Sequence, residues 1–327
     1  MPVPARILNF KSQLVFVVVL FLATESAHAT FPGRNGLIAF QAQTDAGAQI
    51  FTVRPNGRDM RQITHVDGDG LLPDWSPDGR QIVFEIDRPN PPFCSIALMN
   101  ADGSSIVELR APNANVCEND PSFTPDGSRI VFDRFDPDAN EEGFWSMDLS
   151  GGDRQRIGPC CVDPNVSPNG RRLSFLTNNG QPGGTALFTS GIDGSNLFQV
   201  TPFSFNVAVK QDWAPDGRRL VFTQNGDVLM PGVSANIATI RPDGTDLRFV
   251  THYHHYQGGA ANAFVGSYSP DGRWIVFRLN ENGLFGLFKI HPDGTHLETI
   301  LPLSSFRPRF IDWGARPSED DQDEGDW

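Results

Sequence analysis

Apolar residues in this chain fall in short segments that are separated by Gly, Pro, Asp and Asn. In segments such as Ile50–Arg54 (IFTVR), apolar and polar side chains follow the alternation expected of a strand with one buried face. No stretch shows the period of 3.6 residues that marks an amphipathic helix. The pattern therefore predicts an all-β protein built from short strands joined by tight turns.

An eleven-residue unit recurs five times and sets the spacing of these strands. Its glycines follow one another at intervals of 48, 43, 47 and 55 residues. Proline fixes φ at the first turn position and glycine supplies a positive φ, so Ser-Pro-Asp-Gly predicts a hairpin connection. The five copies are DWSPDGRQIVF (Asp74–Phe84), SFTPDGSRIVF (Ser122–Phe132), NVSPNGRRLSF (Asn165–Phe175), DWAPDGRRLVF (Asp212–Phe222) and SYSPDGRWIVF (Ser267–Phe277).

Each copy, together with the residues that follow it, predicts four strands. The first ends at the aromatic residue, the second follows the turn, and the third and fourth resemble IFTVR and RQIT (Arg61–Thr64). Four short strands in every 40 to 50 residues are typical of a β-propeller blade. The chain opens with NGLIAF (Asn35–Phe40), the back half of a unit, and finishes with FIDWG (Phe310–Gly314), the front half. We therefore predict an all-β, six-bladed propeller with four antiparallel strands per blade, closed by pairing the C-terminal inner strand with the N-terminal strands.

The repeated W-S-P-D-G-x-x-I-x-F units, each followed by a strand, a DG turn and a short strand, resemble the WD-like propeller repeats of the TolB C-terminal domain. The resemblance covers Phe31–Pro317. It implies a propeller that acts as a binding scaffold in the cell envelope. Similar repeats occur in the propellers of prolyl-oligopeptidase-type peptidases and of some sugar-processing enzymes. TolB itself carries an α/β domain before its propeller, whereas the repeats here are expected to start directly after a signal peptide.

The two ends of the chain differ in composition from the repeats. Arg6 and Lys11 precede the apolar run Leu14–Ala23, which is half the roughly 20 residues that a membrane span needs, and Ala27-His28-Ala29 follows. We predict a cleaved signal peptide over residues 1–29, a propeller over residues 30–317 and a disordered acidic tail over residues 318–327. An uncleaved anchor is the alternative reading of the first segment. The expected product is periplasmic or secreted, with no transmembrane segment in the mature chain.

Charge and motifs exclude several classes of function. The chain carries 26 Lys+Arg against 39 Asp+Glu, and its arginines are scattered singly, so nucleic acid is not an expected partner. No G-x-S-x-G nucleophile elbow and no P-loop occur. The acidic segment Asp136–Gly143 departs from the EF-hand pattern at Glu141 and Met147. Catalysis is therefore not the favoured role.

Histidines and carboxylates are concentrated in two connections between an outer strand and the next inner strand. We predict that these connections lie opposite the Ser-Pro-Asp-Gly turns, near the mouth of the central channel, and that they form the binding surface. Imidazoles with carboxylates suit a transition metal, and some propeller lyases that resemble this family hold a metal with histidines. A divalent metal held by His65, His252, His254 and His255 is therefore an alternative to a loop that packs against itself. The predicted binding residues are His65, Asp67, Asp69, His252, Tyr253, His254 and His255.

Four cysteines allow three disulfide pairings in an exported protein. Cys94 is expected at the start of a third strand and Cys117 after the fourth strand of the same blade, on the same face. We therefore predict a Cys94–Cys117 bridge, which leaves Cys160 and Cys161 as a vicinal bridge or as free thiols.

These features together favour an exported, monomeric and non-catalytic propeller that needs no cofactor. Its expected partner is a protein or a cell-envelope polymer bound on the loop-rich face. The alternative is a metal-dependent propeller enzyme or carbohydrate-binding protein, similar to a lyase, with a histidine-lined site over the channel.

Overall fold

The computed structural model describes residues 31–89, 92–109, 115–158, 161–178, 184–225, 234–256 and 259–318. The predicted signal peptide, and the predicted tail beyond Ser318, lie outside these residues. In chain order the strands are β1 (Asn35–Thr44), β2 (Gly47–Val53), β3 (Arg61–Gln62), β4 (Asp69–Trp75), β5 (Gln81–Pro89), β6 (Pro92–Asn100), β7 (Val107–Glu108), β8 (Cys117–Phe123), β9 (Arg129–Asp136), β10 (Glu141–Asp148), β11 (Gln155–Gly158), β12 (Val162–Val166), β13 (Arg172–Thr177), β14 (Ala186–Gly191), β15 (Phe198–Gln199), β16 (Val207–Trp213), β17 (Leu220–Gln224), β18 (Asn236–Ile240), β19 (Arg248–Phe249), β20 (His255–Tyr256), β21 (Gly259–Tyr268), β22 (Ile275–Glu281), β23 (Leu284–Ile290), β24 (Glu298–Ser304) and β25 (Arg309–Ala315).

The strands form six antiparallel sheets that are the blades of a propeller, which confirms the predicted fold class. Blades 2 to 5 are the consecutive sets β4–β7, β8–β11, β12–β15 and β16–β19. Blade 6 is β21–β24, to which the two-residue strand β20 adds a fifth, unpredicted member. A single 3-10 turn, Phe203–Phe205, is the only helical element among the described residues. No helix in the described ranges is long and apolar enough to cross a membrane.

Blade 1 is assembled from both ends of the repeat region. Its order is β25-β1-β2-β3, with Ile38 paired with Trp313 and Ala39 with Asp312. The split unit in the sequence is thus rejoined in one sheet, and the predicted closure of the ring is confirmed.

Apolar side chains fill the spaces between neighbouring blades. Alternation along the second strand of each blade places one phenylalanine in the core, and burying such a side chain contributes about 1.5–3 kcal/mol. The apolar cluster between blades 6 and 1, for example, joins Val276 and Leu287 to Phe40 and Trp313. The six phenylalanines, each at most 1% exposed, are Phe40, Phe84, Phe132, Phe175, Phe222 and Phe277.

The antiparallel order of each blade separates two faces of the propeller. The turns between first and second strands and between third and fourth strands lie on one face, which we call the turn face. The connections between second and third strands, and between successive blades, lie on the opposite face, which we call the loop face. In the first Ser-Pro-Asp-Gly turn the amide of Gly79 donates to the carbonyl of Ser76 at 2.9 Å, and Gly79 has φ 68°. The predicted hairpin chemistry is therefore present.

A disulfide joins Cys94 to Cys117 across a Cα–Cα distance of 4.9 Å on the loop face. This is the pairing that the sequence favours, but its structural role differs from the expected one. Cys117 follows the fourth strand of blade 2, as predicted, but it is already the first residue of β8, so the bridge links blade 2 to blade 3. Cys161 packs against the apolar cluster of blade 4, and Cys160 lies outside the described residues, so the proposed vicinal pair stays a prediction.

Candidate functional site

The first strand of every blade places a polar side chain on the central channel. Several of these side chains accept a hydrogen bond from the backbone amide of the next blade. Asp74 Oδ2 accepts from Phe123 N at 2.9 Å, and Asp312 Oδ2 accepts from Trp75 N at 2.9 Å. Ser267 Oγ accepts from Trp313 N at 2.8 Å. The first residue of the repeated unit therefore ties adjacent blades together around the channel.

A second layer of the channel lies two residues earlier along these strands. In five of the six strands a bulge occurs there, and a residue with positive φ turns its side chain inward. The layer contains the residues Leu72 (φ 51°), Asp120 (φ 49°), Asp163 (φ 58°), Lys210 (φ 89°) and Phe310 (φ 48°). These residues and the first layer enclose a cavity of about 20 Å³, which is the space of about one water molecule. The channel is therefore nearly closed at this depth.

Lys210 is the cation in this nearly closed part of the channel. Its side chain is buried, and its Nζ lies 4.0 Å from Asp312 Oδ1. Burial acts to lower the pKa of Lys210, but the carboxylates of Asp312, Asp74 and Asp163 outweigh it and raise the pKa above its ordinary value. Lys210 therefore stays charged and serves as an internal counter-ion to acids from several blades.

The acids around Lys210 are more basic than ordinary carboxyls. Burial raises the pKa of Asp163 to about 7, although Lys210 and the backbone amides of Lys210 and Gln211 act to lower it. Burial, together with the charge of Asp312, also raises the pKa of Asp74 well above its usual value. The channel can therefore hold protons near neutral pH.

A second buried acidic pair adjoins the channel between blades 2 and 3. Burial and the nearby charge of Asp120 raise the pKa of Glu85, on β5, to about 8. The same two causes raise the pKa of Asp133, on β9, to about 8. Oδ1 of Asp133 is buried and has no hydrogen-bond partner among the described residues. These carboxyls extend the proton-binding network outward from the channel.

The predicted residues of the connection before blade 2 lie on the loop face. His65 is exposed, and its Nδ1 lies 3.0 Å from Gln62 Nε2 in the same blade. Asp67 is exposed as well. Asp69 is the first residue of β4, and its Oδ1 accepts from the amide of Ala48 at 2.6 Å. Asp69 therefore fastens this connection to the β1–β2 hairpin.

The predicted residues of the connection before blade 6 also lie on the loop face. His252 and His254 are exposed, and the ring of His252 lies 6.3 Å from that of Phe249. The backbone of Tyr253 is held by the side chain of Asn236, which accepts from the amide at 2.7 Å and donates to the carbonyl at 3.0 Å. His255 belongs to β20, and nothing is described of its side chain.

The contacts of these histidines are made within their own blades. His65 contacts blade 1 and His252 contacts blade 5. Within the part of the chain that the structure describes, no three His, Cys, Asp or Glu side chains converge as metal ligands do. Because the side chain of His255 lies outside that part, the metal site stays a prediction.

The channel lysine was missed from the sequence, although a signal was present. Lys210 is one of only three lysines in the chain, and it lies two residues before the Asp-Trp of a repeated unit. A lone cation inside a predicted inner strand, where the other units have Leu, Asp, Val or Phe, indicates a charge at the channel axis.

Comparison with known proteins identifies the repeats. A family model described as the TolB beta propeller domain matches residues 6–211. The chain is 34% identical over 84 residues to the Tol-Pal system protein TolB of Nitratidesulfovibrio vulgaris, covering 25% of this chain and 18% of that protein. It is 21% identical over 210 residues to the uncharacterized peptidase YuxL of Bacillus subtilis, covering 51% of this chain and 30% of the peptidase. The chain thus spans less than a third of the length of each of these two relatives.

Among solved structures, the fold is similar to that of TolB from Acinetobacter baumannii. The TM-score is 0.69 at 17% sequence identity, and the similarity covers 89% of this chain and 69% of that protein. At this identity the likeness concerns the fold.

Proposed function

Because the chain belongs to the TolB β-propeller domain family, we propose that it is an exported, non-catalytic scaffold that binds a protein of the cell envelope on its loop face. The observation that carries this proposal is the contrast between the two faces.

On the turn face, the acidic side chains are occupied by their own turns. Asp78 Oδ1 accepts from Ser76 Oγ at 2.6 Å and from the amide of Arg80 at 3.0 Å. Asp271 makes the equivalent bonds in blade 6, and Asp243 accepts from Thr245 in a turn between third and fourth strands. The turns are nearly identical, and their polar groups already form hydrogen bonds within each turn. A partner would therefore find few distinctive contacts on this face.

On the loop face, the connections differ from blade to blade and expose polar side chains. His65, Asp67, His252 and His254 are all exposed there. The channel behind them is nearly closed by the Lys210 network, so a partner would rest on the mouth and not pass through. Binding residues are commonly carried by unlike loops on a rigid scaffold.

Three points support an exported location. The Cys94–Cys117 disulfide is of a kind that persists in oxidising compartments. A relative of this chain is a Tol-Pal system protein, and the sequence predicts a signal peptide. The periplasm is therefore the proposed compartment.

The test compares loop-face and turn-face variants in quantitative pull-downs from envelope extracts. We expect the triple variant His65→Ala/His252→Ala/His254→Ala to lose the proteins that the wild type retains, with an unchanged melting temperature. The matched control is Arg218→Ala, whose side chain is 85% exposed on the turn face and which should retain them. Loss in the control and retention in the triple variant would contradict the proposal.

The same protein preparations decide the metal-dependent alternative. Stoichiometric transition metal in the wild type that disappears in the triple variant would favour an enzyme or a carbohydrate-binding protein over the scaffold.

A further inference from the structure

Three arginines converge at the loop-face side of the boundary between blades 6 and 1. Arg278 lies on β22, Arg307 lies in the connection that follows β24, and Arg309 begins β25. We call Arg278, Arg307 and Arg309 the arginine patch. In the sequence these residues are separate and form no basic run.

Aromatic rings cover the faces of these guanidinium groups. The Arg278 guanidinium carbon lies 4.5 Å from the ring centre of Phe264 and 5.6 Å from that of Phe285. Arg307 lies 4.9 Å from the same Phe285 ring, and Arg309 lies 5.2 Å from the ring of Phe310. Rings that stack on the faces leave the N–H groups at the edges of each guanidinium to meet a ligand in its plane.

The patch contains positive charge that the described residues do not neutralise. Burial, followed by the charges of Arg309 and Arg307, lowers the pKa of Arg278 to about 10. Several other arginines of the chain are paired with acids, as in Arg219–Asp246 at 2.7 Å. Within the described ranges no carboxylate pairs with any of the three patch arginines. Since like charges repel, their convergence indicates a site that an anion completes.

Two polar atoms beside the patch have no hydrogen-bond partner in the part of the chain that the structure describes. Arg278 Nε and Asn280 Oδ1 are both buried, and neither is bonded among the described residues. Phe264 pairs with Arg278, and Asn280 pairs with Phe285, so these side chains share one face of the blade. Unsatisfied buried polar groups are few in folded proteins, and a site for a ligand is one reason for them.

The patch also borders the channel mouth. Phe310, which lies under Arg309, lines the closed cavity around Lys210. Arg307 and Arg309 are exposed, so a ligand can reach them from the loop face.

We propose that the arginine patch is the part of the loop face that binds the carboxylates of an acidic peptide segment. A carboxylate is planar and accepts two parallel hydrogen bonds from the edge of a guanidinium, which is the edge that the aromatic rings leave open. The proposal rests on the scaffold function and names the chemistry of the segment that the scaffold recognises.

The experiment titrates the full chain into fluorescein-labelled hexaglutamate and follows fluorescence anisotropy. We expect saturable binding that weakens with added salt, and about tenfold or more weaker binding by Arg307→Ala/Arg309→Ala. The matched control is Arg273→Ala, an exposed arginine of the same blade on the turn face, which should change the affinity less than about twofold. Arg307→Lys/Arg309→Lys should restore only part of the affinity, because lysine lacks the planar pair of donors.

Several results would overturn the proposal. These are no saturable binding by the wild type, equal binding by the double alanine variant, or equal binding of a labelled hexaglutamine. Displacement of the peptide by an equal concentration of inorganic phosphate would show that the patch selects phosphate and would refute the assigned ligand. Because the titration needs no partner protein, its failure is distinguishable from a failure of the envelope pull-down.

Discussion

Replacing Lys210 with methionine removes the only cation among the described side chains that line the closed cavity of the channel. Methionine has a similar length and fills the space, so the substitution tests charge and not packing. Lys210 Nζ lies 4.0 Å from Asp312 Oδ1, a distance at which two unit charges attract by about 4 kcal/mol in a medium of effective dielectric constant about 20.

The cost of the substitution follows from the acids that remain. Breaking a buried ion pair by removing one partner costs about 3–5 kcal/mol, because the other charge is left buried without compensation. We therefore expect the free energy of unfolding of Lys210→Met to fall by about 3 kcal/mol or more at pH 8. Lys210→Arg, which keeps the charge, should lose much less.

The loss of stability caused by Lys210→Met should be smaller at acidic pH. The pKa of Asp163 is about 7 with Lys210 present, and removing the cation raises it further. At pH 5 the Asp163 carboxyl is protonated in the variant, so fewer charges are left buried without compensation than at pH 8. The difference between wild type and Lys210→Met should thus be smaller at pH 5 than at pH 8 by about 1 kcal/mol or more.

The assay is urea unfolding at both pH values, with Lys289→Met as the matched control. Lys289 is the other lysine of the described chain, and its Nζ lies 3.0 Å from Glu298, whose side chain is 52% exposed. A peripheral pair of this kind contributes about 0–1 kcal/mol. The account of the channel is wrong if Lys210→Met lowers the free energy of unfolding at pH 8 by no more than Lys289→Met does. It is also wrong if Lys210→Met lowers the free energy of unfolding more at pH 5 than at pH 8.

Three further predictions concern the ring, the buried acids and the disulfide. Deleting residues 309–327 removes β25 and should lower the melting temperature of the whole domain in one cooperative transition, and a melting temperature within about 2 °C of the full chain would contradict closure. Glu85 has a pKa raised to about 8, so its contribution to stability is present below about pH 4.5 and is lost as the pH rises through about 8. Glu85→Gln should therefore be more stable than the wild type at pH 8, by about 1 kcal/mol or more, and nearly equal to it at pH 5, as measured by urea unfolding. Replacing Cys94 and Cys117 by alanine opens a loop with a sequence separation of 23 and should cost about 3 kcal/mol, and equal urea midpoints for the variant and the wild type would contradict this.

The fold could be predicted from the sequence because the residues that specify it lie close together and recur in every blade. Each turn at Gly79 and its equivalents is specified by four neighbouring residues, and closure was visible because half-units occur at Asn35–Phe40 and Phe310–Gly314. The Cys94–Cys117 pair followed from strand order. That the bridge joins two blades did not, because strand order places Cys117 after the fourth strand of blade 2 without showing that β8 begins at this residue.

Less of the candidate site could be predicted from the sequence. Lys210 points into the channel because it takes a positive φ at a bulge, and lysine at that position carries no signature of this conformation. The arginine patch joins Arg278 to Arg307 and Arg309 only after blade 6 has folded, so arginines that are scattered singly in the sequence gave no sign of it. The loop-face residues His65, Asp67, Asp69 and His252–His255 remain a prediction about binding, although the face that carries them is described.

The composition of blade 1 also determines the order in which the molecule can be completed. The strands β1, β2 and β3 are made first, but the strand that pairs with Ile38 and Ala39 is almost the last part of the repeat region to be made. During synthesis the inner edge of β1 stays unpaired while all five other blades emerge. Exposed strand edges invite pairing with other chains, so this edge is open to such pairing until β25 has been made. A chain that stops short of β25 therefore keeps an open strand edge in blade 1.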